Sequence, residues 1–225
     1  MGCRVFQAPS QTLRVYSDDI NYNAINPVSY SGTVVMDLKN QLLLNIEKSQ
    51  TIEQTSLFNV GWTWWTPNVD LDGIELLEQL KAALGANGVK VIAQDGGSIT
   101  YSSHGWGEGT LTSLQVGSMY MIQTILPCSF TIEGPAIDVA NKSITLSPGN
   151  NWIGFFGAQA MSVDSALANH TASIGDAITA QDGRTTYYSS HGWGGSLNNL
   201  VPGEAYIYNS KASSTQTFTF PLSIK

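Results

Sequence analysis

One seven-residue sequence occurs twice in this chain, and this repetition constrains the fold more than any other feature. Residues 101–107 read Tyr-Ser-Ser-His-Gly-Trp-Gly, and the same seven residues recur at 188–194. The triplet Gln-Asp-Gly precedes both copies, at 94–96 and again at 181–183. Two matches in the same order indicate an internal duplication. We therefore expect a single folding unit that is used twice in tandem.

The similarity extends beyond the central motif in both directions. Upstream, residues 61–64 (Gly-Trp-Thr-Trp) correspond to residues 149–152 (Gly-Asn-Asn-Trp). Downstream, the corresponding positions are Leu111, Leu114, Gly117 and Tyr120 in the first copy and Leu197, Leu200, Gly203 and Tyr206 in the second. Because the copies align with short gaps, each should contain the same elements in the same order.

A short helix is predicted early in each copy. In the first copy, Asp70 or Asp72 can cap a helix over residues 74–84. Its apolar residues recur at helical spacing and comprise Ile74, Leu77, Leu80 and Leu84. In the second copy, Ser162 is a natural N-cap for a helix over residues 163–169.

The other predicted elements of the repeated unit are strands. They lie at 62–66, 89–94, 98–102 and 118–122 in the first copy and at 151–156, 176–181, 185–189 and 205–208 in the second. In each copy the two central strands are joined through Asp-Gly, which is the strongest short-range signal for a β-hairpin. Alternation within the first strand places Trp62 and Trp64 on one face and Trp65 on the other. We expect Trp64 and Trp152 to lie in the core.

These elements predict a β-rich α+β fold made of two tandem, similar small domains, each a mostly antiparallel sheet with one short helix. The copies are expected to be related by a pseudo-twofold axis or by translation. Flanking strands are predicted at 129–132, 143–146 and 217–220, with a matching strand before the first copy supplied from within 33–57. The predicted domains are an N-terminal arm or extra strand at 1–32, a first module at 33–134 and a second at 135–225.

Composition narrows the classes of function. The formal net charge is −7 and the ten Lys and Arg residues form no basic run, which argues against a nucleic-acid partner. Charged residues make up only 12% of the chain, a composition typical of extracellular β-proteins and of virion proteins. No apolar run reaches the roughly 18 residues that span a bilayer, so membrane insertion is not expected. Cys3 and Cys128 can be paired or free, and both alternatives stay open.

The sequence pattern resembles a known type of module. The matching positions in the second copy are Trp152, Gly175, Asp176, Ile178, Gln181, Tyr188, Gly192, Trp193, Gly195, Ser196, Leu197, Leu200, Pro202, Gly203 and Tyr206. They resemble the tandem Trp/Gly-rich modules of large secreted or surface proteins of Bacteroidetes, and of some aquatic microbes and their viruses. The first copy departs from the pattern at residues 107–110 and at Val116. The resemblance covers roughly residues 58–220 and implies an extracellular or surface-displayed setting and a non-catalytic role.

The duplicated aromatic motif contains the candidate ligand-binding residues. They are Tyr101, His104 and Trp106 in the first copy and Tyr188, His191 and Trp193 in the second. Each histidine can either contact a ligand or form local hydrogen bonds in a structured turn. Each tryptophan of these loops can either stack against a sugar ring or pack the hairpin onto the core.

No metal, cofactor or catalytic site is predicted. Each motif offers one histidine without a second ligand nearby, whereas zinc takes three or four. Residues 68–73 imitate the start of a calcium loop, but Gln79 stands where the bidentate Glu is required, so helix capping is the better interpretation. Asp95 and Asp182 lie in Asp-Gly turns, where such side chains bond their own backbone. We expect no enzyme activity.

The sequence therefore predicts a non-catalytic, secreted or surface-displayed binding or adhesion module, with glycans as the favoured ligand. The alternative is a virion structural protein, such as a decoration, fibre or receptor-binding component, with protein partners in an envelope or virion assembly. Residues 1–12 lack the apolar region of a signal peptide. This is expected either if a signal has been removed or if the protein is exported in a virus particle.

Overall fold

The structure is a computed structural model of the chain. It describes residues 50–222, together with the backbone of the strands that lie within residues 5–48. The chain divides into two compact units, Met1–Ser49 and Gln50–Lys225. Most of the predicted arm at 1–32, including Cys3, lies outside the described residues. The predicted domain limits stay predictions.

In the first unit the described backbone forms two antiparallel strand pairs. Strand β1 (Val5–Gln7) pairs with β2 (Leu13–Val15), and β3 (Tyr30–Met36) pairs with β4 (Leu42–Lys48).

The second unit begins with the first repeat. Its elements are β5 (Thr51–Phe58), β6 (Gly61–Trp65), α1 (Gly73–Leu84), a 3-10 turn (Gly85–Asn87), β7 (Gly88–Ala93), β8 (Ser98–Ser102), β9 (Gly105–Gly109), β10 (Tyr120–Thr124) and β11 (Cys128–Pro135). Five of the strands form one antiparallel sheet in the order β6-β10-β7-β8-β9, while β5 and β11 pair with each other.

The second repeat has the same arrangement. Its elements are β12 (Ser143–Leu146), β13 (Gly149–Gly154), β14 (Met161–Ser162), α2 (Val163–Ala166), β15 (Ala177–Thr179), β16 (Arg184–Tyr188), β17 (Gly192–Gly195), β18 (Asn199–Leu200), β19 (Ala205–Ser210) and β20 (Gln216–Thr219). The sheet order is β13-β19-β15-β16-β17, β12 pairs with β20, and a short β14–β18 pair is added. The identical strand order confirms two similar β-rich domains, each with one short helix.

Helix α1 begins where the sequence supplies a cap. The Asp72 carboxylate accepts hydrogen bonds from the backbone N–H groups of Ile74 and Glu75 at 2.9 and 3.2 Å, so Asp72, rather than Asp70, is the N-cap. The buried face contains Leu76, Leu77, Leu80 and Leu84. Ile74, predicted to share this face, is instead 60% exposed, whereas Leu76 in the same first turn is fully buried.

Helix α2 also begins as predicted, since the Ser162 hydroxyl accepts a hydrogen bond from the Ser165 N–H at 3.2 Å. It ends at Ala166 rather than at residue 169. The chain then turns, with the His170 N–H donating to the Leu167 carbonyl at 2.9 Å. This turn directs His170 back toward the core of the second repeat.

Each repeat has its own hydrophobic core. The first is built around Phe58, Trp65, Leu76, Leu80, Val91, Ile122 and Phe130, and the second around Leu146, Ile153, Phe155, Ile178, Tyr206, Tyr208 and Phe218. Trp65 is only 2% exposed, which matches its predicted position on the face opposite Trp64. The prediction that Trp64 and Trp152 are core residues is wrong, because both are half-buried on the other face of edge strands.

The repeated tyrosines of the closing strands stabilise the turns before them. The Tyr120 hydroxyl accepts a hydrogen bond from the Gln115 N–H at 2.7 Å. The Tyr206 hydroxyl accepts one from the Val201 N–H at 2.8 Å. Burial raises the pKa of both phenols. In each repeat, the residues just before the repeated Tyr thus form a turn that is stabilised by a hydrogen bond to the buried phenol.

Candidate functional site

The six predicted site residues lie on or beside two hairpins, β8–β9 and β16–β17. In each sheet these are the two outermost strands, and β9 and β17 form one edge. The opposite edges, β6 and β13, are the ones that bond to the other repeat. The two hairpins therefore lie on sheet edges that face away from the inter-repeat contact, and the structure does not bring the six residues into one site.

The tryptophans of the two hairpins are half-buried and pack against the cores. Each meets a tyrosine edge-on: Tyr101 and Trp106 have ring centroids 5.5 Å apart, and Tyr187 and Trp193 are 5.4 Å apart. Because one face of each indole lies against the core, these rings mainly attach the hairpins to the sheets.

The two identical motifs are paired in different registers. In the first repeat Tyr101 lies opposite Trp106, whereas in the second it is Tyr187 that lies opposite Trp193. The second turn is one residue longer, and the first hairpin compensates with a β-bulge at Gly107. Tyr101 and Tyr188, which the sequence alignment equates, are therefore not equivalent in the structure.

This difference in register leaves one aromatic pair exposed at the tip of the second hairpin. Tyr188 is 44% exposed and stacks on the His191 ring, with centroids 4.8 Å apart and planes inclined by 21°. The Ser190 hydroxyl lies 2.8 Å from His191 Nδ1, which holds the imidazole in place. In the first hairpin His104 is also exposed, and its Nδ1 lies 3.3 Å from the Ser103 hydroxyl.

Sequence reasoning missed the role of the repeated glutamines. The Gln181 side chain accepts a hydrogen bond from the Trp64 N–H at 2.7 Å and donates one to the Trp62 carbonyl at 2.8 Å. The Gln94 side chain does the same in the other direction. It accepts from the Trp152 N–H at 2.5 Å and donates to the Asn150 carbonyl at 2.8 Å.

Each repeat thus supplies hydrogen-bond partners for backbone groups on the edge strand of the other repeat. Backbone bonds follow the same reciprocity: the Thr66 N–H donates to the Gly203 carbonyl, and the Gly154 N–H donates to the Gly117 carbonyl. Reciprocal contacts of this kind define an isologous, pseudo-twofold interface. The structure therefore selects the pseudo-twofold relation from the two that the sequence left open. We call Gln94 and Gln181 the glutamine clamp.

Two clefts, each of about 600 Å³, flank the glutamine clamp. The first, which we call the Trp62 cleft, is lined by residues that include Gln54, Trp62, Trp64, Gln181, Asp182 and Glu204. The second, the Trp152 cleft, is lined by residues that include Asp72, Gln94, Gln115, Lys142, Asn151 and Trp152. The pseudo-twofold axis relates them, because each contains one clamp glutamine and the edge strand that it bonds.

A buried polar cluster, also missed from sequence, lies within the second repeat. The Asp176 carboxylate is fully buried and accepts hydrogen bonds from the Tyr208 hydroxyl, the Ser173 N–H and the Lys211 N–H. His170 Nε2 lies 2.8 Å from the Tyr208 hydroxyl and 3.9 Å from Asp176. Burial lowers the pKa of His170 despite the nearby carboxylate, and burial next to Asp176 raises the pKa of Tyr208.

Two further predictions about acidic residues can be compared with the structure. The Asp95 carboxylate accepts a hydrogen bond from the Gly97 N–H at 2.8 Å, as predicted for an Asp-Gly turn. Asp72, in the calcium-like stretch, caps α1. Within residues 50–222, no helix is long and apolar enough to cross a membrane.

No known protein family, characterised protein or solved structure matches this chain. The resemblance to tandem Trp/Gly-rich surface modules stays a prediction.

Proposed function

We propose that this protein is a non-catalytic binding module, secreted or displayed on a surface, whose ligands are glycans. The observation that supports this most directly is the exposed Tyr188–His191 pair at the tip of the second hairpin. A ring that is already held in place loses little conformational entropy on binding. Its exposed face suits the apolar C–H face of a sugar, and the neighbouring Ser189 and Ser190 hydroxyls can bond sugar hydroxyls.

Several acidic side chains have structural roles, which supports a non-catalytic function. Asp72 caps a helix, Asp95 closes a turn, and the buried Asp176 accepts three hydrogen bonds from the protein. A catalytic carboxylate must instead be free to exchange a proton with a substrate.

The Tyr188→Ala variant tests the proposal. After a glycan array identifies a bound glycan, titration calorimetry should show that Tyr188→Ala weakens binding by about 2- to 10-fold, because one aromatic contact contributes about 0.5–1.5 kcal/mol. His104→Ala is the matched control, since it changes the same motif in the other repeat and should leave the affinity unchanged. Absence of any glycan binding, or equal binding by Tyr188→Ala and the unmodified chain, would contradict the proposal.

A second candidate function is structural: self-assembly of copies of this chain, as in a virion decoration or fibre protein. One end of the first repeat exposes Leu57, Val60, Ile125 and Leu126, each between 56 and 63%. The corresponding positions of the second repeat are Thr145, Pro148, Lys211 and Ala212. The four exposed residues of the first repeat carry no charge, so contact between two copies through them adds no repulsion between like charges in a chain with net charge −7.

Self-association through the apolar end predicts a concentration-dependent increase in mass. Light scattering coupled to size exclusion should detect oligomers of the unmodified chain, and Val60→Ser with Ile125→Ser should shift them to monomer. Ile174→Ser, at an exposed apolar residue of the second repeat, is the matched control. A monomer at all concentrations would exclude the structural candidate and leave the binding proposal intact.

A further inference from the structure

We infer that the Trp62 cleft between the two repeats is a second saccharide-binding site, separate from the Tyr188–His191 pair. The inference takes its ligand class from the proposed function, but it depends on different residues. A binding cleft for a sugar ring needs an aromatic face, polar groups that can bond hydroxyls, and enough volume to enclose part of the ring.

The Trp62 cleft meets these three requirements. Its volume is about 600 Å³, and its lining includes Trp62 and Trp64 from β6 together with Asp182 and Glu204 from the second repeat. Trp62 is 38% exposed, so part of its ring is open to a ligand. The two carboxylates are acceptors for hydroxyl groups, and charge-assisted hydrogen bonds of this type are stronger than neutral ones.

The charge of the lining disfavours anionic ligands. Among residues 50–222, no Lys, Arg or His lines the Trp62 cleft, so these residues offer a phosphate or carboxylate ligand no cation to pair with. A neutral polyhydroxyl ligand avoids this repulsion and uses both the aromatic and the acidic walls.

The pseudo-twofold relation supplies an internal comparison. Asn150 occupies in the second repeat the position that Trp62 has in the first, as the clamp shows: Gln181 bonds the Trp62 carbonyl, and Gln94 bonds the Asn150 carbonyl. The Asn150 side chain accepts a hydrogen bond from Asn209 at 2.7 Å. The Trp152 cleft is also lined by Lys142. The Trp62 cleft thus has an exposed indole, that of Trp62, besides the half-buried Trp64, whereas the Trp152 cleft has the half-buried Trp152.

The Trp62 side chain can be replaced without removing a hydrogen bond of the glutamine clamp. The glutamine clamp bonds the backbone of β6 and not the indole of Trp62. Trp62→Asn therefore converts the Trp62 cleft toward the residue type of the other cleft while the clamp bonds are retained. Far-UV circular dichroism and the thermal midpoint check that the variant keeps the fold.

The test uses the full chain with methyl glycosides of glucose, galactose, mannose and N-acetylglucosamine as probes. Binding is followed by tryptophan fluorescence and by chemical shifts of the indole N–H groups. We expect at least one glycoside to shift the Trp62 indole signal. We also expect Trp62→Asn to weaken that binding at least fivefold, and Asp182→Asn to weaken it by a smaller factor with no loss of folding.

Two outcomes would overturn the inference: no glycoside perturbs the Trp62 signal, or Trp62→Asn binds as the unmodified chain does. Tyr188→Ala separates the two proposals. If Tyr188→Ala loses glycan binding while Trp62→Asn does not, the cleft is not a site and the proposed function stands. If only Trp62→Asn loses binding, the cleft is the site and the role of the hairpin tip is wrong.

Discussion

At the scale of single residues, identical side chains have different surroundings in the two repeats. Tyr101 packs on Trp106, whereas Tyr188, in the same seven-residue sequence, points its ring to solvent against His191. The reason is the second tyrosine, Tyr187, which occupies the place beside Trp193. A shift of one residue in the strand register thus decides whether a tyrosine packs the hairpin onto the sheet or faces solvent.

His170 makes the stability of the second repeat depend on pH. Its side chain is 2% exposed, and burial holds its pKa below the usual value of about 6.5. The unfolded chain therefore binds a proton more readily than the native protein, so the free energy of unfolding decreases as the pH falls through 6.5 and below. Urea unfolding at about pH 7.5 and 5.5 should show this loss, and His170→Gln should reduce it.

His104 and His191 provide the controls for this pH dependence, since both lie exposed in turns. His104→Gln and His191→Gln are measured in parallel, so that replacement of the buried imidazole is compared with replacement of exposed ones. If His170→Gln loses as much stability on acidification as the unmodified chain does, the buried imidazole is not its source.

For individual helices and hairpins, the sequence correctly predicts features that depend on residues close in the chain. The Asp72 and Ser162 caps and the two Asp-Gly hairpins depend on bonds between residues close in the chain. Helix α2 was predicted too long because local propensity could not reveal that His170 is drawn toward Tyr208 and Phe218.

Strand β6 shows that the alternation of side chains along a strand does not by itself identify the core face. Alternation correctly separates Trp62 and Trp64 from Trp65. Alternation does not say which face is the core, and the prediction that Trp64 lies in the core is wrong. Because β6 is an edge strand beside the other repeat, the face of Trp64 borders a cleft rather than the core.

At the scale of the whole molecule, the glutamine clamp joins two self-contained sheets. Replacing both glutamines, Gln94→Ala with Gln181→Ala, removes four hydrogen bonds to backbone groups. Each bond contributes about 0.5–1.5 kcal/mol net, and less where water can replace it, so we expect a loss of about 1–3 kcal/mol in the free energy of unfolding.

Hydrogen exchange reports on the clamp more specifically than the free energy of unfolding does, because it follows individual amides. The Trp64 and Trp152 amides lose their acceptors in the double variant and should exchange faster, while amides within β8 and β16 should not change. Gln79→Ala, on helix α1, is the control, because the Gln79 side chain bonds Glu75 on the same helix and lies outside the clamp. Unchanged exchange at both tryptophan amides would show that the clamp does not hold the edge strands.

The duplication, the strand content and the helix caps were determined by the sequence alone, because repetition, alternation and capping are relations between residues near in the chain or identical in type. The pseudo-twofold pairing, the clefts beside the clamp and the His170–Tyr208–Asp176 cluster were decided by tertiary structure. Each of them joins residues far apart in the chain, such as Gln181 and Trp62. No local pattern specifies such a bond, since it forms only when two completed sheets meet and an unpaired strand edge must be satisfied.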